Sequence, residues 1–327
     1  PPPAPTPPLV PPPPIEPPKI VSEKLATHHS GVVTKRPLHN ATARLAVVIS
    51  GLTDRFLITS KLRRIIQPAT ATGCLVDIYM ALVARGHGGA TWNKIPNSKT
   101  SDLGVNVTTE QVAEHLRNAG GHVAYCNLTA AREDIQFPRN PPLRLKQYSP
   151  IETDIGRSVV RKFMTLEFLM THVRSRERAM GVQYDFVLLT RDDDHWMGPF
   201  DLLSFKAENG HENNVYSRNC KTEGGINDKT LLFGRLAAER VLERLYSDFW
   251  MRDKRLEAWN AEAFWKAFIH VKGVRSKQVS LSRLPTAASV FVNNSQGNFY
   301  LCQKRYKICA SLPKRDIFEQ PVVCPGS

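Results

Sequence analysis

Near-continuous apolar runs predict the strands of this chain. Residues 43–50, 74–83 and 184–190 are each dominated by Val, Ile, Leu and other apolar side chains, a pattern that is typical of strands buried on both faces. A shorter run at residues 122–126 predicts another strand. Strands of this kind normally lie inside a sheet that is covered on both sides.

Segments with helical periodicity lie between and after these runs. Residues 156–180 repeat apolar side chains at helical spacing and predict a long amphipathic helix. Thr108 and Gln111 have the spacing of a capping box, so a helix is predicted from there to Asn118. Because strands alternate with helices, we expect an α/β fold with a mostly parallel central sheet flanked by helices. Further helices are predicted over residues 58–66, 238–249 and 256–270.

The first 42 residues have a different character. Residues 1–20 hold twelve of the 24 prolines, and repeated proline fixes φ and removes backbone donors. We therefore predict a disordered, extended stem or linker over residues 1–42 and a single folded domain over residues 43–327. A docking site for a proline-binding module is the alternative use of the proline-rich segment.

Composition and charge narrow the class of protein only slightly. Hydrophobic residues make up 42% of the chain and charged residues 23%, which is ordinary for a globular protein and excludes a mostly disordered chain. The 44 basic and 30 acidic residues give a net charge of +14, which favours phosphate-bearing or polyanionic partners. No run approaches the roughly 18 apolar residues that a membrane span needs.

Cysteines and glycosylation sequons favour the secretory pathway. Three of the six cysteines lie in the last 26 residues, and none forms a C-x-x-C pair. We expect disulfides in an oxidising compartment, with six free thiols as the alternative. The first residue is Pro1 rather than Met, so we also expect that an upstream targeting or anchoring segment was removed. Four N-x-[ST] sequons begin at Asn40, Asn106, Asn127 and Asn293.

An acidic triplet directly follows the apolar run at residues 184–190. Arg191 precedes Asp192, Asp193 and Asp194, and ligands of α/β sheets bind beyond the carboxyl ends of strands. Adjacent carboxylates repel one another unless a cation lies between them, and Mg²⁺ or Mn²⁺ prefers such oxygen ligands. We predict a divalent-metal site here, with Asp192 and Asp194 chelating the ion and Arg191 contacting phosphate. A solvated acidic turn is the alternative.

Four ordered elements give the sequence a resemblance to a known family. The first is a strand that ends in Gly51, with Arg55 close behind it. The second element is the pair Tyr184-Asp185 followed by Arg191 and its aspartates, and the third is the acidic triplet itself, so these two overlap. The fourth element is a Gly-rich loop further along the chain. With these elements the chain resembles the nucleotide-sugar-dependent glycosyltransferases of the GT-A fold, in particular a poorly characterised subgroup with Arg-x-Asp and Asp-x-Asp motifs. The matching segments are Ile49-Ser50-Gly51, Tyr184-Asp185, Arg191-Asp192-Asp193-Asp194, and Gly224 to Asp228 followed by Phe233-Gly234.

The resemblance implies a Rossmann-like GT-A domain and metal-dependent glycosyl transfer. In that fold the Asp-x-Asp motif holds Mn²⁺ (or Mg²⁺) and the diphosphate of a nucleotide-diphosphate sugar, which is the donor substrate. The sugar would pass to a glycan or protein acceptor, such as a glycoprotein, in the Golgi or ER lumen. The chain would then be a type II membrane protein whose anchor lies upstream of Pro1, and a secreted protein is the alternative.

The resemblance also implies a set of site residues. An inverting enzyme also needs a base that deprotonates the acceptor, and Asp228 is predicted for it because it lies in a Gly-rich loop flanked by strand-like segments. Capping the helix that follows is the alternative for Asp228, and Glu223 and Glu262 are weaker candidates for the base. The subgroup often has Pro where this chain has Asp192, which leaves open which aspartate binds metal. The other implied residues are the donor contacts Gly51, Arg55, Arg191, Asp192, Gly224 and Gly225, and the metal ligands Asp192, Asp193 and Asp194.

Other classes of function are weighed against this one. A non-catalytic carbohydrate- or nucleotide-binding module of the same fold is the main alternative, and a divalent-metal nuclease or phosphotransferase is less favoured. Nucleic acid is not an expected partner, because the sequence has no zinc-finger spacing, no RNP-like aromatic motif and no long basic run. His195 is a candidate further metal ligand, and Trp196 is a candidate stacking residue, although core packing is the commoner fate of such a tryptophan.

Overall fold

The structure is a computed structural model. It describes residues 41–83, 108–130, 141–148, 154–220 and 222–288, two short strands at residues 290–293 and 299–302, and the isolated residues Asp102, Ile135, Phe137 and Pro138. The predicted stem at residues 1–42 lies almost entirely outside the described residues. The proposed boundary between stem and folded domain therefore stays a prediction.

A seven-stranded sheet forms the centre of the described fold, in the order β3-β2-β1-β4-β7-β6-β8. β7 runs antiparallel to both of its neighbours, and the other adjacent pairs are parallel. This confirms the predicted α/β class with a mostly parallel sheet. The strands are β1 (Arg44–Leu52), β2 (Leu75–Val83), β3 (His122–Ala130), β4 (Phe186–Arg191), β5 (Asp194–Trp196), β6 (Asn214–Arg218), β7 (Thr230–Gly234), β8 (Arg275–Val279), β9 (Thr286–Ala288), β10 (Val290–Asn293) and β11 (Phe299–Cys302).

Helices cover both faces of this sheet. The first begins as α1, continues through a π-helical turn at Leu62–Ile66 and ends as α2. The side chain of Thr108 caps α3 and Gln111 reaches back to the Thr108 backbone, which confirms the predicted capping box. The helices are α1 (Ile58–Lys61), α2 (Gln67–Ala71), α3 (Thr109–Asn118), α4 (Asp154–Met180), α5 (Leu202–Lys206), α6 (Arg235–Leu242), α7 (Leu245–Phe249) and α8 (Ala261–Val271).

The core has two layers because the central strands are buried on both faces. Ala46 and Val48 of β1 belong to the layer formed with α4, α6, α7 and α8. Leu45, Val47 and Ile49, which alternate with them, belong to the opposite layer, formed with α1, α2, α3 and α5. Burial of both faces leaves the ends of the strands as the places where polar chemistry can meet solvent.

The cysteine and membrane predictions have limited tests here. Cys74 and Cys126 are free thiols and so belong to none of the expected disulfides, whereas Cys220 is disulfide-bonded. Cys309 and Cys324 lie outside the described residues, and disulfide pairing elsewhere stays a prediction. In the part of the chain that is described, no helix has the length and apolarity needed to cross a membrane.

Candidate functional site

The candidate site lies where the carboxyl ends of β1 and β4 meet. These strands run side by side in parallel, with Ser50 opposite Arg191 at the end of their register. The segment that follows β1 therefore faces the acidic triplet that follows β4. β7 lies on the other side of β4, with Thr230 opposite Thr190, and it brings the Gly-rich loop before it to the same end of the sheet.

Asp192 is fully buried and is held by the loop after β1. Its Oδ2 accepts hydrogen bonds from the Arg55 Nε at 2.6 Å and from the Leu52 backbone N–H at 2.9 Å, and its Oδ1 accepts from the Arg55 Nη2 at 3.1 Å. Burial raises the pKa of Asp192, and the charge of Arg55 opposes this rise. The structure thus joins two predicted donor-binding residues to each other, which gives Asp192 a role in holding the loop.

Gly51 is needed for this arrangement. Its φ is +151°, and a Cβ at this position would lie 2.1 Å from the Asp192 Cγ. The absent side chain makes room for the buried carboxylate, so Gly51 lies against protein here. A contact between Gly51 and a donor stays a prediction.

We expect Gly51→Ala to lower the free energy of unfolding by about 1–3 kcal/mol, because the added methyl group overlaps the Asp192 carboxylate in a packed interior. Urea unfolding measures the change. Gly181→Ala is the control, since Gly181 also has a positive φ, +68°, but a Cβ there meets nothing within 4 Å. Equal losses in the two variants would show that backbone strain, not overlap with Asp192, causes the effect.

Asp193 forms a bidentate pair with Arg191. The Arg191 Nε and Nη2 donate to the two carboxylate oxygens at 2.8 and 2.9 Å, and the Arg55 Nη1 lies 3.5 Å from Oδ2. Burial acts to raise the pKa of Asp193, but the guanidinium groups of Arg191 and Arg55 lower it far below the usual range. Asp193 is therefore ionised and already neutralised by protein cations.

Asp194 differs from the other two aspartates because one of its oxygens has no partner. Oδ2 accepts hydrogen bonds from the Arg191 backbone N–H at 3.1 Å and from the Thr230 hydroxyl at 2.7 Å. Oδ1 is buried and accepts no hydrogen bond from the described residues. A buried carboxylate oxygen without a donor carries a desolvation cost that a bound cation would remove.

A buried lysine that the sequence analysis missed donates hydrogen bonds to the backbone of the acidic turn. The Lys61 ammonium, on α1, donates to the backbone carbonyls of Leu57, Asp192 and Asp194 at 2.8–3.0 Å. Burial lowers the pKa of Lys61, and the charges of Asp194 and Asp192 oppose this. Lys61 follows an ordinary helical pattern in sequence, so only the structure reveals this role.

Asp228 lies in the Gly-rich loop before β7 and is paired with α4. Lys162 donates to the Asp228 Oδ2 and to its backbone carbonyl, both at 3.0 Å. Burial acts to raise the pKa of Asp228, but Lys162 and Arg191 lower it overall. A carboxylate with a lowered pKa is a weaker proton acceptor, and the role of Asp228 as the base stays a prediction.

The two glycines of this loop have different surroundings. A Cβ on Gly225 would lie 1.9 Å from the Glu262 backbone oxygen, so Gly225 permits close contact with the first turn of α8. Gly224 is exposed, with a φ of +82° and nothing within 4 Å of the position its Cβ would take. Of this pair, only Gly224 is open to a ligand, and its predicted donor contact stays a prediction.

Two further cations that the sequence analysis missed complete the site. Arg218 ends β6, is 3% exposed and donates through Nη1 to the Thr286 carbonyl, while its Nε has no hydrogen-bond partner within the part of the chain that the structure describes. Lys229, just before β7, is partly buried, and the described residues give its ammonium no hydrogen bond or ion pair. Burial lowers the pKa of Lys229 and the charge of Arg191 lowers it further, whereas the carboxylates of Asp193 and Asp194 oppose this. Arg191, Arg218 and Lys229 thus concentrate positive charge beside the acidic turn.

The three aspartates do not form a ready-made metal site. Within the described part of the chain, no group of three or more His, Cys, Asp or Glu side chains is arranged to hold a metal ion. Asp192 and Asp193 already form ion pairs with arginines, and the Asp194 Oδ1 is the carboxylate oxygen of the triplet that accepts no hydrogen bond from the described residues. Mg²⁺ commonly uses one or two protein carboxylates together with water and substrate phosphates. The residues present fit that kind of site, with Asp194 as the protein ligand.

The aromatic candidate beside the triplet belongs to the core. Trp196 is fully buried, packs against Phe200 and donates from its indole N–H to the Thr190 hydroxyl at 3.1 Å. It therefore does not stack on a ligand. His195 pairs with Ala287 in the short β5–β9 ladder, and a metal-binding role for it stays a prediction.

Comparisons with known proteins identify no family. No family model matches the sequence, and no curated protein matches it. Among solved structures, the glycosyltransferase GlyE of Streptococcus pneumoniae TIGR4 is similar at a TM-score of 0.38 and 13% identity, over 73% of this chain and 46% of that chain. Its apo form gives a TM-score of 0.32 and 11% identity over the same shares. The chain spans less than half the length of these proteins, and similarity this weak assigns neither an activity nor a site.

Proposed function

We propose that this protein is a glycosyltransferase that uses a nucleotide-diphosphate sugar as donor. The observation that carries the proposal is the cationic group formed by Arg191, Arg218 and Lys229 at the end of the sheet, in which the Lys229 ammonium has no partner among the described residues. An unpaired, desolvated cation is costly unless an anion binds it. The ordered motifs that resemble GT-A glycosyltransferases point to a diphosphate as that anion.

The chemistry of glycosyl transfer suits this charge distribution. When the bond between the anomeric carbon and the diphosphate breaks, negative charge develops on the leaving group. Fixed positive charges in a partly dry site stabilise that charge in the transition state. Arg191 is held in place by its bidentate pair with Asp193, so its guanidinium does not have to reorganise during the reaction. Lys229 and Arg218 add charge from the neighbouring strands β7 and β6.

We further propose that Mn²⁺ (or Mg²⁺) binds at the Asp194 Oδ1 together with the donor phosphates. The ion would add positive charge to the leaving group. In this proposal Asp192 and Asp193 orient Arg55 and Arg191, and Asp194 is the metal ligand among the three aspartates that the sequence left open. A glycan or glycoprotein acceptor and a Golgi or ER location remain part of the proposal.

Asp194→Asn is expected to weaken Mn²⁺ binding in the presence of UDP or GDP by at least about tenfold, since changes even to outer-shell groups reach that size. Electron paramagnetic resonance of bound Mn²⁺ measures this directly, without any need for turnover. The control is Asp193→Asn, which alters the partner of Arg191 but should leave the Mn²⁺ affinity within about threefold. Unchanged Mn²⁺ binding in Asp194→Asn would remove the metal from the proposal.

The proposed function as a whole is tested by nucleotide binding and donor hydrolysis. Thermal unfolding is measured with UDP, GDP, AMP and inorganic diphosphate, each with and without Mn²⁺, and hydrolysis is measured with UDP- and GDP-sugars. Stabilisation by a nucleoside diphosphate together with slow hydrolysis of one donor is expected. Stabilisation without hydrolysis or transfer favours the non-catalytic binding module, and no stabilisation by any nucleotide contradicts the proposal.

A further inference from the structure

The first turn of α8 brings an unused carboxylate to the candidate site. The Ile226 N–H donates to the Glu262 carbonyl at 3.2 Å, and the Asn260 Nδ2 donates to the Glu223 carbonyl at 2.9 Å. Asn260 also caps α8 by accepting from the Ala263 N–H at 2.8 Å. These bonds fix α8 against the loop that carries Asp228.

The Glu262 side chain is placed differently from that of Asp228. Asp228 is paired with Lys162, whereas the described residues give the half-buried Glu262 carboxylate no ion pair. The titratable groups that act on Glu262 are Asp228, Lys162 and Glu223. Glu262 is therefore an ionisable group beside the loop that has no ion pair with a described cation, and its own backbone N–H and the charge of Lys162 only partly oppose the rise of its pKa.

An exposed tryptophan, Trp259, directly precedes Asn260, the residue that caps α8. Trp259 is 61% exposed, the largest exposure among the described residues of its kind, and its backbone carbonyl accepts from the Gln147 N–H at 2.8 Å. The backbone is thus fixed while the indole faces solvent. Exposed indole rings suit the apolar faces of sugar rings, because stacking keeps the sugar hydroxyls in water.

On the basis of the proposed function, we propose that Trp259 and Glu262 form the acceptor subsite, with Trp259 stacking on an acceptor sugar and Glu262 as the catalytic base. In the reaction the acceptor hydroxyl oxygen forms a bond to the anomeric carbon. The bond from that carbon to the diphosphate oxygen breaks, and its electron pair leaves on the diphosphate. The proton of the acceptor hydroxyl passes to a Glu262 carboxylate oxygen. This assigns the base to Glu262 instead of Asp228.

The pKa of Glu262 agrees with that role. Burial raises it above the ordinary glutamate value, and the negative charge of Asp228 raises it further. A base must be deprotonated to act, so activity rises as pH rises through this raised pKa and is lost below it. A base with a pKa closer to neutral is also the stronger proton acceptor.

Glu262 is tested by donor hydrolysis, in which water takes the place of the acceptor. Glu262→Gln is expected to lower kcat for hydrolysis of the UDP- or GDP-sugar by at least about 100-fold, with donor KM within about threefold. Glu262→Asp should restore part of the rate and move the acidic limb of the pH profile. The matched control is Glu257→Gln, which removes an exposed carboxylate five residues earlier in the chain whose partner is Lys146. A Glu262→Gln rate within threefold of the unmodified protein overturns the assignment.

Trp259 is tested by saturation-transfer NMR with methyl glycosides of glucose, galactose, mannose and N-acetylglucosamine in the presence of UDP or GDP. We expect a saturation-transfer signal on at least one glycoside. The signal should be lost in Trp259→Ala and kept in Trp259→Phe. It should also be kept in Leu236→Ala, the control for an exposed apolar side chain, since Leu236 is 47% exposed. No signal on the unmodified protein, or equal signal in Trp259→Ala, overturns the proposed stacking of Trp259 on an acceptor sugar. Nucleotide-induced stabilisation in the same samples separates this failure from failure of the proposed function.

Discussion

Asp192→Ala is expected to lower the free energy of unfolding by about 3 kcal/mol or more. The substitution removes the partner of a buried ion pair, and breaking such a pair from one side typically costs about 3–5 kcal/mol because the other charge stays behind. Asp192 is 0% exposed, and it also accepts from the Leu52 N–H, which would lose its hydrogen bond. The loop after β1 would then lose its side-chain anchor at Asp192 and keep only the bonds of the Leu57 N–H and the Lys61 ammonium to backbone carbonyls of the acidic turn.

Chemical denaturation monitored by tryptophan fluorescence measures this loss. Asp193→Ala is the matched control, because it removes a neighbouring carboxylate that is 15% exposed and paired with the partly exposed Arg191. We expect a smaller loss there. A double-mutant cycle with Arg55→Ala isolates the Arg55–Asp192 coupling, which contacting residues usually place at about 0.5–3 kcal/mol. A loss below about 1 kcal/mol in Asp192→Ala would contradict the anchoring role.

This expectation changes how the acidic triplet should be tested for function. Loss of activity in an Asp192 variant would follow from a displaced loop as readily as from a lost metal ligand. Asp194 is the informative position, because its Oδ1 has no hydrogen-bond donor to lose. Activity measurements on the triplet therefore need the free energy of unfolding of each variant beside them.

The sequence predicted the centre of the sheet well and its edge poorly. β1, β2 and β4 are continuous apolar runs, and their burial on both faces produces that signal. β6 and β8 have the sequences NVYSR and RSKQV and were not predicted. β8 is a mostly exposed edge strand, so its side chains carry no alternating or continuous apolar pattern that a sequence could display.

The location of the site was predictable, but its internal pairing was not. The acidic triplet after an apolar strand indicated the carboxyl end of the sheet, where it indeed lies. Arg55 and Asp192 are 137 residues apart in the chain, and Lys162 and Asp228 are 66 apart. Such pairs depend on strand order and on which face of a helix meets a loop. The role of Lys229 could not be predicted for the same reason, since a single lysine before a strand forms no recognisable sequence pattern.

Lys229→Met is expected to weaken nucleotide binding without lowering the free energy of unfolding. The described residues give the Lys229 ammonium no hydrogen bond or direct ion pair, burial lowers its pKa, and the carboxylates of Asp193 and Asp194 oppose this only from beyond ion-pair distance. The folded protein therefore bears a desolvation cost that no direct ion pair offsets. Removing that charge should leave the free energy of unfolding unchanged or slightly higher. The affinity for UDP or GDP should fall by about 10–100-fold, which corresponds to one charge-assisted hydrogen bond of about 1.5–3 kcal/mol.

Lys162 provides the matched contrast, because its ammonium is paired with Asp228 at 3.0 Å. Lys162→Met should destabilise the protein by leaving that carboxylate unpaired, whereas the exposed Lys254→Met should change neither quantity. Isothermal titration calorimetry with the nucleoside diphosphate and urea unfolding on the same three variants give the comparison. If Lys229→Met binds the nucleotide as tightly as the unmodified protein, the cationic group is not a diphosphate site. If the free energy of unfolding of Lys229→Met is instead lower, the Lys229 ammonium has a partner within the protein and is not available to bind a ligand.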